Sequence, residues 1–230
     1  MNAPLVTAVI AVRNGDRFLA TAIRSILDQD YESVEILVID GNSTDNTRAV
    51  AAAFPGVRLL TQPTPGLAAA YNHGVTEARG EFLAYLSYDD LWTPDKLSRQ
   101  VRHMRENPHL QYTIAHFRYF IEPGCVNLSG VRVGMLAGTH AGKIMETLVV
   151  RRACFDQVGM FRAEFGVAND ADWYVRAQDA GIASAILPDV LLHKRVHNDN
   201  NTALDVARNS GELLRVMKQA VDRKRAQAQA

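Results

Sequence analysis

The sequence predicts an α/β protein built on a mostly parallel, twisted sheet flanked by helices. Two observations predict it. Over the first half of the chain, strand-like segments alternate with segments of helical period, the order a parallel sheet requires. The strand-like runs, such as residues 6–12 and 34–39, are almost continuously apolar, as expected of strands covered on both faces. A length of 230 residues is enough for one large domain with its own core.

Each element follows from its own residues. Residues 6–12 form the first buried strand, and residues 18–27 a helix with Leu19, Ile23, Ile26 and Leu27 on one face. Residues 34–39 are the second strand, ending at Asp40, and 44–54 read as a helix. A short strand at 57–60, an Ala-rich helix at 67–78 and a strand at 82–86 come next. Thr93 as N-cap and Pro94 at the first helical position predict a helix through Glu106. The second half is less regular. Residues 110–120 read as a strand, the Gly-rich stretch 122–142 as a hairpin or loop, and 152–158 as a short helix. A helix over 171–180 is closed by Gly181, two strands are expected at 182–187 and 191–196, and a long terminal helix runs from 202 to about 225.

Composition narrows the function classes. The 25 basic side chains balance the 25 acidic ones, which argues against a nucleic-acid partner. Cys125 and Cys154 are far apart, in no metal-binding or disulfide-framework spacing, and fit a reducing compartment. The apolar run near the N-terminus is short and lacks a basic segment before it, so a cytoplasmic location is expected.

The chemistry-bearing residues gather at predicted strand ends. Asp40 closes the second strand and Asp89-Asp90 follow the fourth. Ligands of open α/β sheets bind outside those ends. Hard divalent cations prefer carboxylate oxygens and substrate phosphates, which makes Asp89-Asp90 a candidate metal site; each Asp also suits a turn. Asp40 has the position to accept hydrogen bonds from a ligand base or ribose, whereas Ser43 and Asp45 suit turn and capping duty. Asp170, in Asn169-Asp170-Ala171-Asp172-Trp173, stands at a helix start. It is either a cap or a general base, and a helix N-terminus should lower its pKa. Arg195 and His197 alternate and so share a face, available to a diphosphate or a metal.

Taken in order, these segments resemble family 2 of the glycosyltransferases, with the GT-A fold. The resemblance runs from Val9-Ile10-Ala11-Val12-Arg13-Asn14-Gly15 through Asp40-Gly41-Asn42-Ser43-Thr44-Asp45 and Asn72-His73-Gly74 to Ser87-Tyr88-Asp89-Asp90. It continues through Val158-Gly159-Met160-Phe161, Asn169-Asp170 and Arg195-Val196-His197 to Asn200, Asn201 and Thr202. It implies one GT-A domain over residues 1–202, with a nucleotide-binding part over about 1–110 and an acceptor and catalytic part over about 111–202, followed by a C-terminal helix and basic tail over 203–230. It implies a nucleoside-diphosphate sugar donor, most commonly a UDP-sugar, and Mn²⁺ or Mg²⁺ as cofactor. Ala11, Arg13, Asp40, Asn72, Tyr88, Asp89, Asp90 and Arg195 would bind the nucleotide-sugar, with Asp40 at the base. Asp89 and His197 would serve the metal. Asp170 would be the catalytic base, and the sugar centre would invert. The acceptor would be a hydroxyl-bearing glycan or a lipid-linked one, as in polysaccharide or glycoconjugate synthesis, with His140 and Trp173 as candidate contacts. For Trp173 the core is the competing place, and a flexible loop the competing reading of residues 138–143. The basic end of the terminal helix suits either solvent or a peripheral contact with an anionic membrane.

The sequence departs from the family at four places. Ser87 replaces the first Asp of the metal motif, Arg13 a common Tyr, Tyr71 a common Arg, and Asn169 the usual Glu before the base. Two alternatives follow. A nucleotidyltransferase would need a Gly-rich phosphate loop after the first strand, for which Arg13-Asn14-Gly15-Asp16-Arg17 is a thin match. A catalytically degenerate binding module would show no metal-dependent donor hydrolysis.

Overall fold

The computed structural model describes residues 3–126, 133–199 and 206–229. The chain runs β1 (Val6–Val12), α1 (Asp16–Leu27), β2 (Val34–Asp40), α2 (Thr47–Ala52), β3 (Val57–Thr61), α3 (Leu67–Glu77), β4 (Phe82–Ser87) and β5 (Leu91–Trp92). It continues as α4 (Lys96–Glu106), β6 (Tyr112–Ile121), β7 (His140–Ala141), β8 (Val149–Arg151), α5 (Cys154–Val158), α6 (Asn169–Asp179), β9 (Ser184–Val196) and α7 (Val206–Gln229). Single 3₁₀ turns stand at Val133–Met135 and Met145–Thr147.

One sheet unites both halves in the order β3-β2-β1-β4-β8-β6-β9-β5, with β7 on β6. β1, β2, β3 and β4 pair in parallel, as do β6 and β9. β5, β7 and β8 are the antiparallel strands. The parallel strands explain the apolar runs. Val9, Leu37, Ile39, Leu83 and Tyr85 point to one face, where α3, α5 and α6 cover them. Val6, Ala8, Ile10, Ile36, Val38, Phe82 and Ala84 point to the other, under α1 and α4. This is the period-two alternation of a strand, with apolar residues on both sides.

The expected elements are present, with shifted edges. Helix α4 begins at Lys96 rather than at Thr93-Pro94. Residues 91–92 are instead a strand edge on β9, and Thr93 N–H donates to Leu191 O. The two strands expected at 182–187 and 191–196 are a single strand, β9. Its register against β6 slips around Pro188 and Asp189, where Pro has no N–H to give the ladder. Gly181 follows α6 with φ +68°, the left-handed turn that glycine adopts freely. The segment 122–142 contributes β7, which pairs with β6. Asn200, Asn201 and Thr202, which the resemblance drew on, lie outside the described residues.

Helix α7 is fastened to the body. Glu212 accepts hydrogen bonds from the backbone N–H groups of Gly166, Val167 and Ala168 at 2.8–3.1 Å. Val216 packs with Phe165 and Ala168, and Arg223 pairs with Asp179 on α6. Leu214, Met217 and Val221 remain exposed on its outer side. Among the described residues, no helix is long and apolar enough to cross a membrane.

Candidate active site

Strand register sets the rim of the site. Val12 pairs with Asp40, and Ala11 pairs with both Ile39 and Ser87, so the ends of β1, β2 and β4 align. The turns beyond them are stitched together. Asn14 N–H donates to Ser43 Oγ, Thr44 N–H to Asn14 Oδ1, and Gly15 N–H to Thr47 Oγ1. Arg13 lies exposed at this turn. A Cβ on Gly15 would sit 2.5 Å from the Tyr88 ring and 2.6 Å from Val12. Only glycine lets Tyr88 lie across the turn. Burial pushes the Tyr88 phenol up to about 12.

Asp40 is fully buried. Its Oδ2 accepts from Arg48 Nη1 at 2.8 Å and its Oδ1 from Ser43 N–H at 3.2 Å. Both carboxylate oxygens of Asp40, expected at the nucleotide base, are thus engaged within the chain, and the half-exposed Arg48 is the group of that pair open to solvent. Arg48 was not singled out in the sequence. A cation eight residues after a buried Asp was the available signal.

Asp89 and His197 meet. His197 Nε2 lies 3.0 Å from Asp89 Oδ2, and Asp199 N–H approaches His197 Nδ1 at 3.3 Å. Accepting at Nδ1 puts the proton on Nε2. A hard carboxylate oxygen beside an imidazole nitrogen fits a divalent cation. Coordination at Nε2 would move that proton to Nδ1 and give up the long Asp199 contact. Among the described residues, no group of three or more His, Cys, Asp or Glu could hold a metal.

Asp90, expected at the ligand, is buried and points inward. Its Oδ1 accepts from Arg195 N–H at 2.8 Å and its Oδ2 from Lys194 Nζ at 2.9 Å. Arg195, also expected at the ligand, is engaged within the chain. It is buried, its Nε donates to Asp89 O at 2.8 Å, its Nη1 pairs with Glu122, and Phe18 and Phe120 pack on its guanidinium. Phe18 also contacts the His197 ring at 4.7 Å, so Arg195 and His197 do share a face. The amide of Asn72 is engaged on both sides by the backbone of Phe161, at 2.8 and 2.9 Å. That clamp, rather than a nucleotide-sugar contact, accounts for its polar groups.

Asp170 lies in the first turn of α6, its Oδ1 accepting from Ala171 N–H at 2.6 Å. The helix start was expected to lower its pKa. The net shift is the opposite: burial pushes the carboxyl up to about 7, the Ala171 N–H opposes this, and the charge of Glu146 adds to the rise. Desolvation outweighs the helix dipole here. Asn169 beside it is buried, with its Oδ1 unpaired.

Trp173 is fully buried, donates to Gly159 O and packs against Tyr112, Phe155 and Tyr174. Its candidate acceptor role is corrected, since no ligand can reach a core indole. His140 Nε2 is hydrogen-bonded to Met135 O, and its ring lies against Phe117 and Tyr119.

Glu146 went unnoticed in the sequence. Its Oε1 accepts from Ser87 Oγ at 2.5 Å and lies 3.5 Å from Lys194 Nζ. Lys194 thereby bridges Asp90 and Glu146. Burial alone would lower the lysine's pKa, but Asp90, Glu146 and Asp89 raise it well above the usual value. The signal was a lone carboxylate in the apolar run 144–150, since an unpaired acid is seldom buried.

Comparison with known proteins identifies the family. The family model of Glycosyl transferase family 2 matches residues 7–142. An uncharacterized glycosyltransferase of Rickettsia typhi is 26% identical over 218 residues, 88% of this chain and 68% of its own length. An Escherichia coli UDP-Glc:alpha-D-GlcNAc-diphosphoundecaprenol beta-1,3-glucosyltransferase is 36% identical over 106 residues, 45% of this chain and 42% of the relative. A solved structure of a Pyrobaculum calidifontis mannosyltransferase, in complex with GDP-Man and Mn²⁺, superposes with a TM-score of 0.73 at 22% identity. That superposition covers 96% of this chain and 65% of the mannosyltransferase, so the chain spans under two thirds of that protein. The last likeness shows the fold, and the family match extends over more than half of the sequence: this chain belongs to glycosyl transferase family 2.

Proposed function

We propose that this chain transfers a sugar from a nucleoside-diphosphate sugar, a UDP-sugar first among the candidates, to a hydroxyl acceptor with inversion at the anomeric carbon. The observation that carries the reading is a division of labour among carboxylates. Asp89 pairs with His197 at the sheet rim, while Asp170 stands apart with a carboxyl raised to about 7. One suits a cation and a diphosphate, the other a proton.

Asp170 would take the acceptor hydroxyl's proton as the acceptor oxygen bonds to the anomeric carbon. The bond from that carbon to the phosphate oxygen breaks, and its electrons leave with the nucleoside diphosphate. A divalent cation, Mn²⁺ or Mg²⁺, held by Asp89 and His197 would neutralise the departing charge. Arg195 and Lys194 hold Asp89 and Asp90 in register from behind. Arg48, presented by Asp40, lies at the base end of the rim, and Tyr88, Ala11 and Arg13 line the turns beside it. The acceptor side, with His140 as its candidate, would draw on residues 111–202. A glycan or lipid-linked acceptor is consistent with the E. coli relative's name. The exposed Leu214, Met217 and Val221 of α7, near the exposed Lys218 and Arg225, support peripheral contact with an anionic membrane.

Calorimetric titration of UDP, GDP and dTDP, each with and without Mn²⁺, tests the reading. Binding of one nucleotide that depends on Mn²⁺ supports it. Binding of none by the folded chain rejects it, and binding without any donor hydrolysis or transfer leaves only the binding-module alternative.

A further inference from the structure

Glu146 occupies a place that its surroundings make hard to explain as packing alone. A buried carboxylate is costly unless it is engaged, and this one is carried on a turn fixed from several sides. Trp92 Nε1 donates to Glu146 O at 3.2 Å. Lys96 Nζ and Gln100 Nε2 donate to the next carbonyl, Thr147 O, at 3.1 and 3.0 Å. The Tyr174 hydroxyl donates to Ile144 O at 3.1 Å. So held, the side chain reaches Ser87, the residue that stands where the family's metal motif has its first Asp.

Only one carboxylate oxygen is committed. Oε1 takes the Ser87 hydroxyl and the Lys194 ammonium. Oε2 accepts from none of the described residues and is not among their buried unpaired atoms. The side chain keeps 12% of its surface open. Glu146 is also outside any three-ligand metal group among the described residues. Its charge bears on both Asp170 and Lys194, and its second oxygen is left open beside them.

We propose that Glu146 Oε2 accepts a hydrogen bond from a hydroxyl of the transferred sugar, and that it selects neutral sugars over uronic acids. The inference rests on the donor-binding reading above. In that reading the sugar lies between the diphosphate at Asp89 and the base Asp170. Ser87 and Glu146 flank that space, with Lys194 and Asp90 behind them. Lys194 already faces both Asp90 and Glu146, so a sugar carboxylate brought to Oε2 would meet the like charge of Glu146, whereas a sugar hydroxyl can donate to it.

The test compares affinities by calorimetry on the full chain with Mn²⁺. UDP is paired with UDP-glucose, GDP with GDP-mannose and dTDP with dTDP-glucose, and the nucleotide that binds is carried forward with its uronate-bearing donor. Glu146→Ala should weaken the nucleotide-sugar by about tenfold, ~1.4 kcal/mol, while the free nucleotide changes less than about twofold. Glu146→Gln keeps a partner for Ser87 and removes the charge. It should relax discrimination against the uronate-bearing donor by at least about threefold. Equal weakening of nucleotide and nucleotide-sugar, an unchanged ratio in both variants, or a wild type that binds uronate and neutral donors alike would overturn the proposal while leaving donor binding intact. Binding of no nucleotide at all would remove both readings together.

Discussion

In the proposed reaction Asp170 would serve as the general base, a role that a proton affinity near neutrality suits. Its carboxyl at about 7 is protonated below that pH and ionised above it. Activity as kcat/KM, which reports the free enzyme, should therefore rise with pH through about 7 and level off above. Asp170→Asn should keep nucleotide binding, lower transfer by about 10²–10⁴-fold and remove that rising limb. Full transfer in the variant would take Asp170 out of the base role. Stability follows the same shift with its own sign. A folded pKa above the unfolded one, about 3.9, means the native state holds the proton longer. Stability falls as pH rises from about 4 to about 7, and Asp170→Asn should be more stable than wild type at pH 8, read by urea midpoint. Asp89 makes a separate claim. Asp89→Ala should abolish the Mn²⁺-dependent part of nucleotide binding, whereas His197→Ala should reduce it partially, because the carboxylate is the harder ligand. Equal Mn²⁺ dependence in Asp89→Ala and wild type would exclude the metal role.

At the scale of elements, the 3₁₀ turn Met145–Thr147 depends on α4 behind it. Lys96 is fully buried, bonded to Gln100 and Thr147 O and placed over the Trp92 ring. Burial pulls its ammonium down to about 7. The unfolded chain then binds more protons between about 7 and the usual 10.4, so stability should rise with pH over that window. Each displaced pKa unit is worth ~1.4 kcal/mol. Lys96→Met should lose this slope, measured as urea midpoints at pH 7, 8.5 and 10. A slope equal to wild type's would mean that Lys96 is not its source. The window lies above that of Asp170, so the two effects separate. None of this was legible in Ile144-Met145-Glu146-Thr147, because a single turn has too few residues for a period. What could be read was whatever repeats. The apolar runs of β1, β2 and β4 gave their strands, and the acids after them gave the rim of the site. Starts and stops were less legible. Thr93-Pro94 has the chemistry of a helix start, yet pairing of Leu91 and Trp92 with β9 holds the chain extended there. Asp90 and Arg195 read as ligand residues because sequence marks charge but not direction; Asp90 turns inward to Lys194 and to the Arg195 backbone, and the Arg195 side chain to Asp89 O and Glu122.

The whole molecule places one helix between two tasks. The inward side of α7 carries Glu212, whose carboxylate gathers three N–H groups from the loop leading into α6. That loop delivers Asp170. The outward side carries Leu214, Met217 and Val221 in an apolar stripe beside the exposed Lys218 and Arg225. Spacings of three and four residues put those apolar side chains on one face, and Glu212 and Val216 on another. The two sides should therefore fail independently. Glu212→Ala orphans three donors around a buried position and should cost about 2–4 kcal/mol of stability. It should also lower transfer more than nucleotide affinity, because the three N–H groups that Glu212 holds lead into α6 and Asp170 rather than into the strand ends at Asp40 and Asp89. Leu214→Glu with Met217→Glu should leave stability, nucleotide affinity and transfer to a water-soluble acceptor unchanged. It should lower co-sedimentation with phosphatidylglycerol vesicles by about tenfold, since apolar burial and cation attraction both weaken. A wild-type chain that does not sediment with those vesicles would reject the membrane contact, and the clamp at Glu212 would then be the task of α7 that stands.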